Sequence, residues 1–167
     1  MTSPNSVAYR PATAQDLEPI VAISRQIWHM GMGAALEQRY GLIGGKPWQD
    51  YIAQSMHTAV AQAIERDNCL VAEVDGTVAG WSTWQTDESR SIGTIGYNGV
   101  HPDFRGRGIG TELVRLALEQ IRSAGMRIAA VTTGLNEGHA AARAVYEKLG
   151  FESLVESVHY TMELHHD

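Results

Sequence analysis

Apolar residues along this chain recur at two spacings, and each change of spacing marks a new element. Val7, Ala8, Tyr9 and Arg10 read as a short first strand ended by Pro11. Leu17, Ile20, Val21, Ser24, Ile27 and Trp28 then keep the three-and-four spacing of one helix face to about Met30. Thr13 stands ahead of them with Asp16 three positions on, a variant of the capping box. Residues 31–45 are rich in glycine and methionine and read as irregular or broken helix. Pro47 suits a helix first turn, and Trp48, Ile52, Met56, Ala59, Val60, Ala63 and Ile64 carry one apolar face to about Arg66.

The pattern then changes to strands. Cys69–Val74 and residues 77–84 flank Asp75-Gly76, a strong two-residue hairpin signal. A third strand over Ile92–Val100 carries Gly93, Gly96 and Gly99, and glycine inside a strand marks a bulge or close backbone approach. After a glycine-rich turn, Ile109, Leu113, Leu116, Ala117, Gln120 and Ile121 line a helix face, with Gly125 as its stop. Residues 127–133 are a continuous run suited to a buried strand. Residues 140–149 predict a helix ended by Gly150, with Phe151 placed for a hydrophobic contact, and residues 157–164 alternate as a last strand. The order β-α-α-β-β-β-α-β-α-β predicts a mixed-sheet α/β fold with an antiparallel front half. A βαβ crossover follows around the glycine-rich turn.

Composition narrows the function classes. At 167 residues the chain is expected to form one domain, residues 1–167, with no internal repeat or linker. Hydrophobic residues at 44% and charged residues at 19% argue against disorder. A formal charge of −6 speaks against a nucleic-acid partner, whose binder would be basic. The acidic surface with a small basic island at 105–107 suits an anionic cofactor and a cationic co-substrate. Cys69 is the single cysteine and lies in an apolar run, so it reads as a buried, inert thiol rather than part of a disulfide framework. The short polar start at Met1 and the lack of a long apolar stretch predict a cytoplasmic protein without membrane association.

The candidate chemistry concentrates in residues 99–123. A strand end leads into Val100-His101-Pro102, then Arg105-Gly106-Arg107-Gly108-Ile109-Gly110-Thr111, and a helix opens directly from that turn. Three glycines remove the β-carbons that would block a ligand, and the helix start offers free N–H groups and the positive end of its dipole. That is a recipe for holding phosphate or pyrophosphate, and Arg105 and Arg107 add charge. The Walker type of phosphate loop needs Gly-Lys followed by Ser or Thr, which is absent from the sequence. A dinucleotide fingerprint needs a third glycine where Thr111 stands, and should follow the first strand of a parallel unit.

The pattern Arg-x-x-Gly-x-Gly at Arg105, Gly108 and Gly110, preceded by Val100 and Pro102, resembles the acetyl-CoA loop of the GCN5-related N-acetyltransferase (GNAT) family. A second signature comes later, with Tyr146 followed by Leu149-Gly150-Phe151, and the element order resembles that fold over nearly the whole chain. The resemblance implies acetyl-CoA as co-substrate, no metal, and transfer of acetyl to a primary amine by direct attack in a ternary complex. The acceptor is a small-molecule or peptide amine, and a homodimer is common in the family. A non-catalytic module that binds acyl-CoA as a sensor or regulator is the alternative.

The resemblance also assigns roles. The third hairpin strand and the strand after the loop's helix splay apart to take the pantetheine arm, with a bulge near Gly93, Gly96 and Gly99. The Val100 N–H meets the thioester carbonyl, beside His101, and the amides from Arg105 to Thr111 hold the pyrophosphate. Tyr146 is the candidate general acid for the departing thiolate; its other reading is a core tyrosine. His139 stands where the family commonly has asparagine, with Asn136 three residues earlier, so either meets the coenzyme or caps the helix. For a general base, Asp87, Glu88, His101 and Glu73 are nearby, although each also reads as a surface group. Trp28, Trp48, Trp81 and Trp84 either line an acceptor pocket or belong to the core. His29 and His57 show no metal-ligand spacing, and His165 and His166 read as solvated.

Overall fold

A computed structural model describes residues 6–29 and 31–164. The expectations for the chain start before Ser6, for Met30 as the first helix's end and for the His165 and His166 pair lie outside the described residues. Asp75 and Gly76 take φ of 48° and 78°, closing the two-residue turn that the dipeptide predicts, with Val74 opposite Thr77. From that hairpin the sheet grows in both directions. Strands β1 (Val7–Pro11), β2 (Cys69–Val74), β3 (Thr77–Asp87), β4 (Ile92–Val100) and β5 (Ile128–Ala130) lie side by side in chain order. The first four pair antiparallel, and β5 joins β4 in parallel after the crossover helix α4 (Ile109–Ser123).

Helices cover both faces. Val71 and Ala72 are consecutive and fully buried, so they point to opposite sides. Val71 packs in a cluster with Ile20 of α1 (Leu17–Ile27), Met56 and Val60 of α3 (Trp48–Glu65), and Trp81. Ala72 packs with Ile109 and Leu113 of α4. A third cluster joins Trp84 and Ile95 to Val114 and Ile121 of α4 and to Tyr146 of α5 (Ala140–Lys148). The turn before α1 is tied down by Asp16, only 4% exposed, whose carboxylate accepts from the Thr13 N–H and hydroxyl and from both terminal nitrogens of Arg10. At the far end of α5, Gly150 takes φ of 91° and the Phe151 N–H donates back to the Tyr146 carbonyl, as the Gly-Phe pair predicts.

Three elements depart from the sequence reading. Within residues 31–45 a regular helix α2 forms over Met32–Tyr40, held where the Trp48 ring packs against Gly33. The strand expected over 127–133 shrinks to Ile128–Ala130, which pairs only with Ile92, Gly93 and Thr94. The cause is in β4: Ser82 faces Asn98 and Trp84 faces Ile95, so Gly96 and Tyr97 together oppose Thr83. This bulge bends β4 away from β5 just past Thr94. The strand expected over 157–164 does not form. Leu154, Val155, Val158, Tyr160, Met162 and Leu164 are 71–93% exposed. Alternation assigns faces only once a neighbouring ladder exists, and three residues of β5 offer too short an edge.

Candidate active site

The glycine-rich turn lies between the end of β4 and the start of α4. Gly106 and Gly108 take φ of 76° and 75°, and no atom lies within 4 Å of where a β-carbon would stand at either. The first helical bond runs from the Glu112 N–H to the Gly108 carbonyl at 3.1 Å. Among the described residues, the N–H groups of residues 106–111 have no hydrogen-bond partner. Six free donors thus meet the positive end of a 15-residue helix. The side chain of Ile109 is 1% exposed against Leu113, so this residue offers the turn only its main chain while anchoring the helix start to the sheet. Arg105 is exposed, and the Arg107 guanidinium lies over the Phe104 ring at 5.3 Å. His101 is held at the strand end: its N–H donates to Ala79 at 2.8 Å and its Nδ1 accepts from the Asp103 N–H at 3.2 Å.

Strand geometry fixes what the neighbouring residues present. Because the His101 N–H points to β3, two-residue alternation turns the N–H groups of Asn98 and Val100 away from β3. That side is the gap where β5 has parted from β4. A cavity of about 480 Å³ opens there, walled by Gln62 of α3 and Arg66 at its C-terminal cap, Gly96 and Asn98 from β4, and His139 and Tyr146 from the α5 side.

Tyr146 is 7% exposed and meets the Phe151 ring edge-on at 5.8 Å. The Asn98 Nδ2 donates to its Oη at 3.1 Å and to the Gly96 carbonyl at 3.1 Å. A carbonyl only accepts, so Nδ2 and not Oδ1 must face Gly96, and the second N–H then falls to Tyr146. The phenol oxygen is therefore an acceptor toward Asn98, and its own proton has no acceptor among the described residues. Burial pushes the phenol above its usual value of 10.0, and donation from Asn98 opposes that in part.

The loop before α5 settles the geometry around His139 and Asn136. His139 lines the cavity, whereas Asn136 stands behind it with its Oδ1 against the His139 Nδ1. Burial and the Arg143 charge lower the imidazole below 6.5, which leaves it neutral at pH 7. Arg143 clamps this loop by donating to the carbonyls of Gly134 at 2.7 Å and Asn136 at 2.9 Å. Sequence reasoning missed both Asn98 and Arg143. Neither belongs to a motif; Asn98 stands out only as the one amide in a glycine-rich strand.

None of the four candidate bases lines the cavity. Glu73 pairs with Arg10 at 2.7 Å. Asp87 is drawn down to about 2 by Ser89 and Arg90, a value that makes it a poor base. Glu88 is exposed at the tip beyond β3, and His101 is committed to its own turn. The tryptophans divide. Trp28 and Trp84 reach the cavity wall, Trp81 is wholly core, and Trp48 packs α3 on α2. Cys69 is buried, and burial pushes its thiol up to about 12. His57 lies 3.5 Å from Glu18, and His29 bonds the Gln26 carbonyl. Among the described residues, no helix is long and apolar enough to cross a membrane.

A family model described as the acetyltransferase (GNAT) family matches residues 34–151. An uncharacterized N-acetyltransferase of Methanocaldococcus jannaschii is 38% identical over 94 residues, which is 53% of this chain and 40% of that protein. An acetyltransferase of Pectobacterium atrosepticum is 33% identical over 109 residues, 65% of this chain and 72% of the relative. The chain thus matches well under half the length of the archaeal relative. Among solved structures, an aminoglycoside N-acetyltransferase in complex with CoA superposes with a TM-score of 0.64 at 18% identity, covering 96% of this chain and 97% of the other. That likeness is one of fold.

Proposed function

Because the chain belongs to the acetyltransferase (GNAT) family, we propose that it moves an acetyl group from acetyl-CoA to a primary amine. Both substrates are bound together and the amine attacks directly. One arrangement carries the reading: β4 walls the cavity where β5 has parted from it and then runs directly into the turn with six free N–H groups before α4, and Tyr146 lines that cavity. The turn fits a diphosphate, since open space stands where β-carbons at Gly106 and Gly108 would lie.

When bound, acetyl-CoA supplies an acetyl group already activated as a thioester. The N–H groups of residues 106–111 are the groups to hold its diphosphate, with Arg105 and Arg107 adding charge. The Val100 N–H, turned into the gap, donates to the carbonyl oxygen on which negative charge develops. Tyr146 gives its proton to the departing sulfur. A thiol titrates near 8.5 and an ordinary phenol near 10, so that transfer is uphill by about 2 kcal/mol before the burial of Tyr146 adds to it. Asn98 occupies the acceptor side of Oη and leaves the proton free to be given. His139 lies along the wall taken by the pantetheine arm, with Asn136 and Arg143 behind it as positioning residues. The proton lost by the amine passes to solvent, because no carboxylate among the described residues lines the cavity. The same reading takes the chain as one acetyltransferase domain working in the cytoplasm.

Calorimetry with acetyl-CoA and thiol release with a panel of amines test this. Micromolar binding and turnover of at least one amine are expected. No affinity for acetyl-CoA or free coenzyme would sink the reading, and binding without turnover for every amine would favour a sensor instead.

A further inference from the structure

Among the described residues, the walls of the cavity carry one formal charge, that of Arg66, and no carboxylate. This occurs in a chain with 19 acidic residues and a net charge of −6. The acidity of the molecule stops at the edge of the gap. Arg66 caps the C-terminal end of α3 on the same face as Ala59, Gln62 and Ala63, at the i, i+3, i+4 and i+7 positions of one helical stripe. It is exposed, among the described residues it makes no ion pair and no side-chain hydrogen bond, and its sequence neighbours Glu65 and Asp67 do not line the cavity. The remaining polar groups on that side are neutral, including the amides of Gln62, Asn68 and Gln85 and the hydroxyls of Thr83 and Thr94. The Trp28 and Tyr97 rings, 5.0 Å apart, add an apolar wall.

Such a surface discriminates by charge. An acceptor with several ammonium groups would bring them against a guanidinium with no carboxylate to meet them, which is repulsive. An amine that also carries an anion finds in Arg66 a planar fork suited to carboxylate or phosphate. The same positive charge disfavours the ammonium form of the bound amine and raises its neutral, attacking fraction. That accounts for the cavity's lack of a carboxylate base.

We propose that the acceptor is a small primary amine bearing an anionic group, a carboxylate or a phosphate, and that Arg66 is the residue that selects it. The proposal rests on the acetyltransferase reading above. It replaces the cationic co-substrate that the acidic composition predicts.

The test uses matched acceptors with the full chain: L-phenylalanine against phenethylamine, O-phosphoethanolamine against ethanolamine, and spermidine. Acetyl-CoA binding by calorimetry is measured in parallel. For at least one pair the anionic member should have the higher kcat/KM by about tenfold, the size of one charge-assisted contact. The pair that shows the preference separates carboxylate from phosphate. In Arg66→Ala that ratio should fall toward one, in Arg66→Lys it should be partly kept, and in Arg66→Glu it should invert. Preference for spermidine or for the members that lack the anionic group, or a ratio unmoved in Arg66→Glu, overturns the proposal while leaving the acetyltransferase reading intact. Loss of acetyl-CoA binding by the wild-type chain would instead remove the reading beneath it.

Discussion

Gly108 and Gly125 stand at opposite ends of α4 with nearly the same backbone angle, φ of 75° and 78°. Neither has an atom within 4 Å of where a β-carbon would be. Replacing either by alanine therefore imposes the same left-handed strain, about 1–2 kcal/mol. The stiffer unfolded chain returns about 0.4–1 kcal/mol of that. Each variant should lose about 1 kcal/mol, which lowers the melting temperature by about 2–4 °C for a chain of this size. Only Gly108 lies in the run of free N–H groups; Gly125 is roughly 25 Å away along the helix. A methyl group at position 108 stands in the open space beside those donors and keeps a diphosphate from close approach to at least one of them. Losing one charge-assisted hydrogen bond, about 1.5–3 kcal/mol, weakens coenzyme binding by about ten- to a hundredfold. Calorimetric titration of acetyl-CoA and thermal melts of Gly108→Ala, Gly125→Ala and wild type measure both effects. Equal melting shifts with unchanged affinity in Gly108→Ala would refute the placement of the diphosphate. A weakened Gly125→Ala would show that the loss is not local.

Tyr146→Phe should lower kcat by about a hundredfold or more with coenzyme affinity little changed, read by thiol release; full retained rate removes the acid assignment. Because burial holds the phenol above 10.0, the wild-type rate should not decline on the alkaline side until the pH passes that value. Asn98→Ala removes the one donor that lowers this pKa, so the alkaline limb should move further up while kcat falls; a limb moving down would contradict the geometry. Asp16→Ala should destabilise the protein by about 2 kcal/mol at neutral pH, measured by urea unfolding. The Arg10 contact depresses the Asp16 carboxyl, so its stabilisation is present above the unfolded value of 3.8 and is lost as pH falls through the lower folded value. The difference between variant and wild type should therefore shrink below about pH 4, and a constant gap down to pH 2 would count against it.

Local chemistry made much of this molecule legible in the chain alone. The Asp75-Gly76 turn, the Thr13 and Asp16 cap, the Gly150 stop and the glycine-rich turn before α4 each depend on the backbone freedom or hydrogen bonding of a few adjacent residues. So do the helix faces of α1, α3 and α4, whose spacing follows from the helical repeat. The expected bulge in β4 was readable as a place, from its glycines, although not as the residue pair Gly96 and Tyr97 facing Thr83.

What the sequence left open involves groups far apart in the chain. The last strand failed because alternation at 157–164 says nothing about whether a ladder waits for it, and β5 stops after three residues. The partnership of Asn98 with Tyr146 joins residues 48 positions apart, and Arg66 faces the same cavity only because α3 is laid against the end of the sheet. Likewise, a net charge of −6 counts residues without placing them, so it does not reveal that the one formal charge on the cavity wall, among the described residues, is an arginine. Spacing along the chain dictates which way a side chain points from its own element. Which other side chain it meets depends on where a bulge bends one strand away from its neighbour, and only the folded arrangement of the sheet decides that.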